Sequence, residues 1–153
     1  MEYIRLIPKN SLSRMVGDFT KVESPKWFVE QVKTWFAKRY KLNMDEAEKP
    51  LSDYKSLGDL FIRKLKKDVR PLGLGLVHPC DGDLTSLGPI EKGQLIQTKG
   101  NNYSLKDFLK DDEAESTFSS AKFLTYYLCP TDYHRVHVPM DAQVESVVHV
   151  VTP

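Results

Sequence analysis

The chain has 153 residues, with 22 Lys+Arg against 21 Asp+Glu and a net charge of +1, so no global field draws it to nucleic acid or to a strongly acidic partner. With 41% hydrophobic residues, a chain of this length folds as one domain that hides roughly 70% of its unfolded surface. No apolar run approaches the roughly 20 residues that span a bilayer, the start Met1-Glu2-Tyr3-Ile4-Arg5 lacks the charged-then-apolar order of a signal peptide, and Cys80 and Cys129 lie too far apart to suggest zinc or an iron–sulfur centre. A cytosolic chain that touches a membrane surface is the class left standing.

Residues up to about Lys67 read as helical. Ser24-Pro25 predicts an N-cap followed by proline at the first helical position, after which Trp27, Phe28, Val32, Trp35, Phe36 and Tyr40 recur at three- and four-residue spacings. Lys26, Lys33, Lys38 and Arg39 flank these aromatics. Such a helix suits a membrane interface and equally suits packing against the rest of the protein. Met44 to Asp53 is polar and holds Pro50, which predicts a short helical turn and a loop. Ser56-Leu57-Gly58-Asp59 has the spacing of a capping box and opens a helix carrying Leu60, Phe61 and Leu65, closed by Lys64 to Lys67 and Arg70-Pro71.

From Leu72 onward, short apolar runs alternate with Gly, Pro, Asp and Asn. The predicted strands are Leu84–Ile90, Gln94–Lys99, Lys122–Leu128, Arg135–Val138 and Val144–Val151, with a small helix capped by Ser104 over Leu105–Leu109. Helices followed by strands, without β-α alternation, predict an α+β fold whose β-rich part is mainly antiparallel. The boundaries are one domain over 1–153, helical to about 67 and β-rich from about 72.

Two segments carry groups suited to chemistry. In Tyr133-His134-Arg135-Val136-His137 two imidazoles stand three apart, so an extended strand would point them to opposite faces and give them separate tasks unless the chain bends. On a helix they would share a face, but Pro130 and Pro139 argue against a long helix. In His78-Pro79-Cys80-Asp81-Gly82 the carboxylate sits where an aspartate is commonly a turn residue bonding nearby amides. Neither segment alone establishes an enzyme.

Taken in order, Phe61-Ile62-Arg63-Lys64-Leu65, Arg70-Pro71-Leu72, Pro79-Cys80-Asp81-Gly82, Gln97-Thr98-Lys99-Gly100-Asn101-Asn102-Tyr103-Ser104-Leu105 and the run from Tyr127 to Pro139 resemble the phosphatidylserine decarboxylases of bacteria and mitochondria. The resemblance extends from Ser56 to the end, and the Tyr40-to-Ala47 turn is similar to the bacterial branch. It implies a self-cleaving zymogen in which an Asp-His-Ser triad activates the serine of a Leu-Gly-Ser motif, leaving a covalent pyruvoyl group. By that match Asp81 is the triad aspartate and His137 the triad histidine, while His134 is the residue near the substrate carboxylate and the carbon that is reprotonated. The implied activity is decarboxylation of phosphatidylserine to phosphatidylethanolamine in phospholipid biosynthesis, with pyruvate, as the pyruvoyl group, the cofactor and no metal.

The implied partners are phosphatidylserine, the membrane surface and a pyruvoyl-bearing small subunit. A homo-oligomer is compatible with the sequence, and the implied location is peripheral, on the cytoplasmic face of a membrane, with Trp27 and Phe28 as contact candidates. Asp83 departs from the apolar residues common in the family after Asp-Gly. No serine of this chain follows a Leu-Gly pair, and Ser86 before Leu87-Gly88 is in the reverse order. The 153 residues are therefore expected to be inactive alone and unstable, with Val147, Val148 and Val150 poorly covered. They are read as a truncated decarboxylase, with half of a split enzyme or a non-enzymatic membrane-associated remnant as the alternatives.

Overall fold

The computed structural model describes residues 9–96 and 102–149. Its helices come first: α1 spans Lys9–Thr20, α2 Lys26–Arg39 and α3 Leu57–Phe61, with a 3-10 turn at Leu51–Asp53. The β-rich part follows as β1 (Asp83–Pro89), β2 (Gln94–Ile96), β3 (Asn102–Ser104), α4 (Leu105–Leu109), α5 (Ala114–Thr117) and β4 (Lys122–Tyr127). The strands form two antiparallel pairs, β1 with β4 and β2 with β3. This is the α+β class expected from the sequence.

Several boundaries moved for identifiable reasons. Helix α2 begins one residue later than read, with Pro25 at the cap and its carbonyl accepting from Phe28 and Val29. Ser56 does cap α3, accepting from the Asp59 amide, while the Asp59 carboxylate accepts from the Lys55 amide. That helix stops at Phe61 instead of running on to Lys67. Lys64 to Lys66 instead exchange backbone bonds with Glu46 to Glu48, through Glu48 N to Lys64 O at 2.9 Å and Lys66 N to Glu46 O at 2.9 Å. Ser104 caps α4 as expected.

Of the predicted strands, those beginning at Leu84 and Lys122 form β1 and β4, and Gln94–Ile96 forms β2. Residues 97–99 lie outside the described residues, as do 150–153. Arg135–Val138 and Val144–His149 are not strands. The former is pinned by the side chains of Arg135 and His137 and by one backbone bond, from His137 N to Pro79 O, and the latter is exposed throughout. Strand β3 and helix α5 were not anticipated; β3 has only three residues, too few to show a period.

The larger buried cluster is Phe36, Leu42, Tyr54 and Leu60, joining α2, the loop after it and α3. Phe61 covers its edge, 6.2 Å from Phe36 between ring centroids. Lys33, one of the cations that flank the aromatics in sequence, is 0% exposed. Its ammonium donates to the carbonyls of Leu51 (3.1 Å) and Tyr54 and pairs with Glu30 at 2.6 Å, which satisfies a charge that would otherwise be costly to bury. A smaller cluster of Ile90, Leu105 and Ala114 packs α4 and α5 against the end of β1.

Candidate active site

The site is assembled where the chain leaves the helical part and where it leaves β4. Pairing of Asp83 with Tyr127 brings the residues just before β1 beside those just after β4. The approach is close at Gly82, where an added Cβ would lie 2.8 Å from the Tyr127 carbonyl oxygen and 3.0 Å from Leu128 Cδ1. The glycine after Asp81 is thus required by the neighbouring strand, a reason the sequence does not display. Further along, His137 N donates to Pro79 O at 2.8 Å and Val77 N to Pro139 O at 2.9 Å, so the two chemistry-bearing segments run antiparallel, side by side.

The segment after β4 is docked on the end of α3. Asp132 accepts from the Cys129 amide at 2.6 Å and closes a turn through Pro130 and Thr131. Arg63 Nη2 then donates to Thr131 O at 2.9 Å and Asp132 O at 3.2 Å, while Arg135 Nε donates to Ile62 O at 2.8 Å. The His134 ring lies against Phe61, with centroids 3.9 Å apart. These contacts give the two histidines separate surroundings, one of the arrangements the sequence left open.

His134 is half-buried, and its Nε2 is buried without a hydrogen-bond partner. Burial, reinforced by the nearby Arg63 cation, holds its pKa below the usual histidine value and favours the neutral ring, with Asp132 opposing weakly. Arg63 is only 4% exposed and its Nε and Nη1 also have no partner. Desolvation lowers the pKa of that guanidinium. His137 is exposed; its Nε2 lies 3.0 Å from the Tyr133 hydroxyl and the two rings stack at 20° with centroids 5.5 Å apart.

Asp81 sits on the wall of an open cleft of about 720 Å³, together with Arg63, Arg70, His78, Tyr126 and Tyr133. Its Oδ2 accepts from Arg70 Nε at 2.9 Å and Nη2 at 2.7 Å, and the same Nη2 reaches Glu46 Oε2 at 2.9 Å. Bonding to Asp81 first, and then to Glu46, raises the Arg70 pKa above the ordinary arginine value. Neither His134 nor His137 lines the cleft; His137 meets it through Tyr133. Among the described residues no hydrogen bond joins Asp81 to His137, and Asp81 Oδ1 and His137 Nδ1 carry none.

Reading the sequence missed Arg70 as the partner of Asp81, treating it as a helix terminator, and missed Tyr133 and the His78–Tyr126 pair, whose Nδ1 and hydroxyl are 2.6 Å apart. Their only signal was position inside or beside the family-like segments. No group of three His, Cys, Asp or Glu among the described residues could hold a metal ion. Arg63 Nε and Nη1 are donors without a partner at the cleft wall, suited to an anionic or carbonyl-bearing group.

On α2, Trp27 is 64% exposed, whereas Phe28 is half-buried, edge-on to Trp27 at 5.9 Å and to Phe19 at 6.2 Å. Met15, Val16 and Phe19 on α1 add to the exposed apolar surface. No helix among the described residues is long and apolar enough to cross a membrane.

Residues 57–151 match the family model described as phosphatidylserine decarboxylase. The chain is similar to the phosphatidylserine decarboxylase proenzyme of Idiomarina loihiensis, 39% identical over 150 residues that make up 95% of this chain and 51% of that protein. The proenzymes of Vibrio parahaemolyticus (39% identical, 94% of this chain and 52% of that protein) and Aliivibrio fischeri (40%, 95% and 52%) are similar to the same extent. The chain thus spans about half the length of the curated relatives it matches.

Proposed function

Because the chain belongs to the phosphatidylserine decarboxylase family, we propose that it provides the base and the orienting carboxylate of a self-cleaving, pyruvoyl-dependent enzyme that converts phosphatidylserine to phosphatidylethanolamine. The observation that carries this reading is the backbone bond from His137 to Pro79, which lays the histidine segment beside the Asp81 segment. Asp81 Oδ1 and His137 Nδ1 are the two atoms an orienting bond would use, and among the described residues both are unengaged.

In the proposed mechanism Asp81 bonds Nδ1–H of His137 and leaves Nε2 to take the proton of an attacking serine hydroxyl, which is too weak a nucleophile without such a base. That serine belongs to a Leu-Gly-Ser segment, which these 153 residues do not contain. The pyruvoyl group, once formed, supplies an electron sink for the loss of carbon dioxide. His134, whose neutral ring is favoured by burial against Phe61, is the residue we assign to the substrate carboxylate and to the proton returned to carbon. Arg63, with Nε and Nη1 unpartnered, is the cation of the cleft wall left to meet an anionic headgroup, since Arg70 is paired with Asp81 and Glu46.

The enzyme is peripheral to the membrane, on its cytoplasmic face, with Trp27 and the apolar residues of α1 in the interface and Phe28 bracing them from behind. Its partners are the lipid, the membrane surface and the pyruvoyl-bearing small subunit. The exposed face of α1 also suits the second reading, a membrane-associated remnant without activity.

The test is expression of the chain with and without the carboxy-terminal half of the Vibrio parahaemolyticus relative, with phosphatidylethanolamine formation as readout. Activity only in the combined preparation is expected. Turnover by the 153-residue chain alone contradicts the reading, and vesicle binding without activity in the combined preparation favours the remnant.

A further inference from the structure

Tyr133 links the cleft to the proposed base. It lines the wall that also holds Asp81, and its hydroxyl lies 3.0 Å from Nε2 of His137. The stacked rings, 20° from parallel, and the His137 amide bond to Pro79 fix the exposed imidazole at two points. A phenol hydroxyl donates a hydrogen bond to an unprotonated imidazole nitrogen, and in a neutral ring the proton then resides on the other nitrogen. Here that other nitrogen is Nδ1, which must carry the proton if Asp81 is to orient the ring. Nε2 is the nitrogen that must stay open for the nucleophile.

We propose that Tyr133 is a positioning residue that selects the Nδ1–H tautomer of His137 and keeps Nε2 at the edge of the cleft until an attacking hydroxyl takes its place. This rests on the reading of His137 as the base. No covalent bond forms at Tyr133. Its hydroxyl gives up one hydrogen bond, keeps its proton, and is replaced at Nε2 by the O–H of the nucleophile. The ring stack is preserved throughout, so the imidazole does not turn when the hydroxyls exchange.

The experiment uses the chain combined with the relative's carboxy-terminal half, its histidines labelled with 15N. An unprocessed form, with alanine for the serine of Leu-Gly-Ser, is used for the spectra. The nitrogen shifts of His137 are expected to report the Nδ1–H tautomer. In Y133F, which keeps the stacked ring, they are expected to report a mixture of tautomers, and self-cleavage of the processing-competent form should slow about two- to tenfold, the range for losing one hydrogen bond. A wild-type tautomer or a wild-type cleavage rate in Y133F overturns the proposal.

H137A separates the two layers of the argument. If it cleaves normally, the base assignment falls and Tyr133 falls with it. If it is inert while Y133F is wild-type in both readouts, only the role of Tyr133 is overturned. Should Y133F fail to fold, 3-fluorotyrosine placed at position 133 makes the hydroxyl a stronger donor, and an unchanged Nε2 shift of His137 then overturns the proposal.

Discussion

Arg70 and Asp81 form a one-sided clamp in which two guanidinium nitrogens, at 2.9 and 2.7 Å, converge on the single oxygen Oδ2. The other carboxylate oxygen carries no hydrogen bond among the described residues, and the His137-to-Pro79 bond lays the histidine segment beside the segment that holds Asp81. Glu46 accepts from the same Nη2 at 2.9 Å, so a loop of the helical part positions a group of the β-rich part.

Replacing Arg70 with alanine should therefore cost little stability, about 0–1 kcal/mol, because the Arg70 side chain is 45% exposed and its ion pairs are screened. Self-cleavage of the combined protein should nevertheless slow about ten- to a hundredfold, as expected when an orienting group loses its place. R70K should restore only part, since an ammonium cannot reproduce the planar fork. Paired melting curves and cleavage time courses check this; equal loss in both would make the clamp merely structural.

Leu60, 0% exposed at the centre of the helical cluster, carries a different burden. Leu60→Ala should destabilise by about 2–5 kcal/mol through lost burial and a residual cavity. Ser56→Ala, which removes the α3 cap, should cost about 1 kcal/mol. Denaturant titration of the combined protein measures both, and a Leu60→Ala loss no larger than that of Ser56→Ala would contradict the packing described.

The sequence disclosed the elements whose signals are local. Caps at Ser56 and Ser104 were readable because a hydroxyl and an amide three residues on are sufficient to form them. The resemblance supplied the candidates Asp81, His134 and His137, but not their surroundings. Arg70 became the partner of Asp81 only because Lys64 to Lys66 leave the helix to pair with Glu46 to Glu48, a long-range choice that helical periodicity argues against. The burial of Lys33, one of the cations flanking the aromatics, was not legible because the carbonyls that accept its protons come from Leu51 and Tyr54, far along the chain. Arg135–Val138 has the residues of a strand, yet its neighbour ends in Pro79 and its own segment in Pro139, neither of which has an N–H to extend a ladder, and only His137 N to Pro79 O and Val77 N to Pro139 O join the two segments.

His134 gives a pH dependence with a definite sign. Burial, followed by Arg63, lowers its folded pKa below the ordinary 6.5, so between those two values the unfolded chain binds the extra proton. Its contribution to stability is complete above about pH 6.5 and is lost as pH falls through that window towards the lower folded value. Melting temperatures of wild type and H134Q, compared from pH 8 to pH 5 on the combined protein, should diverge in slope below about pH 6.5. Parallel curves would remove His134 from the account.

Trp27 should respond to lipid. Vesicles containing anionic lipid are expected to shift tryptophan emission to the blue and to sediment the protein, with W27A weakened more than F28A because Trp27 is 64% exposed and Phe28 is half-buried beside Phe19. Unchanged emission together with no sedimentation would exclude this surface as the membrane contact.

The most direct test of the central claim is the intact mass of the carboxy-terminal segment recovered from the combined protein in wild type, D81A and H137A. The account predicts a cleaved segment beginning with a pyruvoyl group in wild type, and an uncleaved Leu-Gly-Ser segment in both variants while the fold, monitored by circular dichroism, persists. Cleavage to the wild-type extent in either variant would contradict the assignment of Asp81 and His137 as the pair that activates the serine.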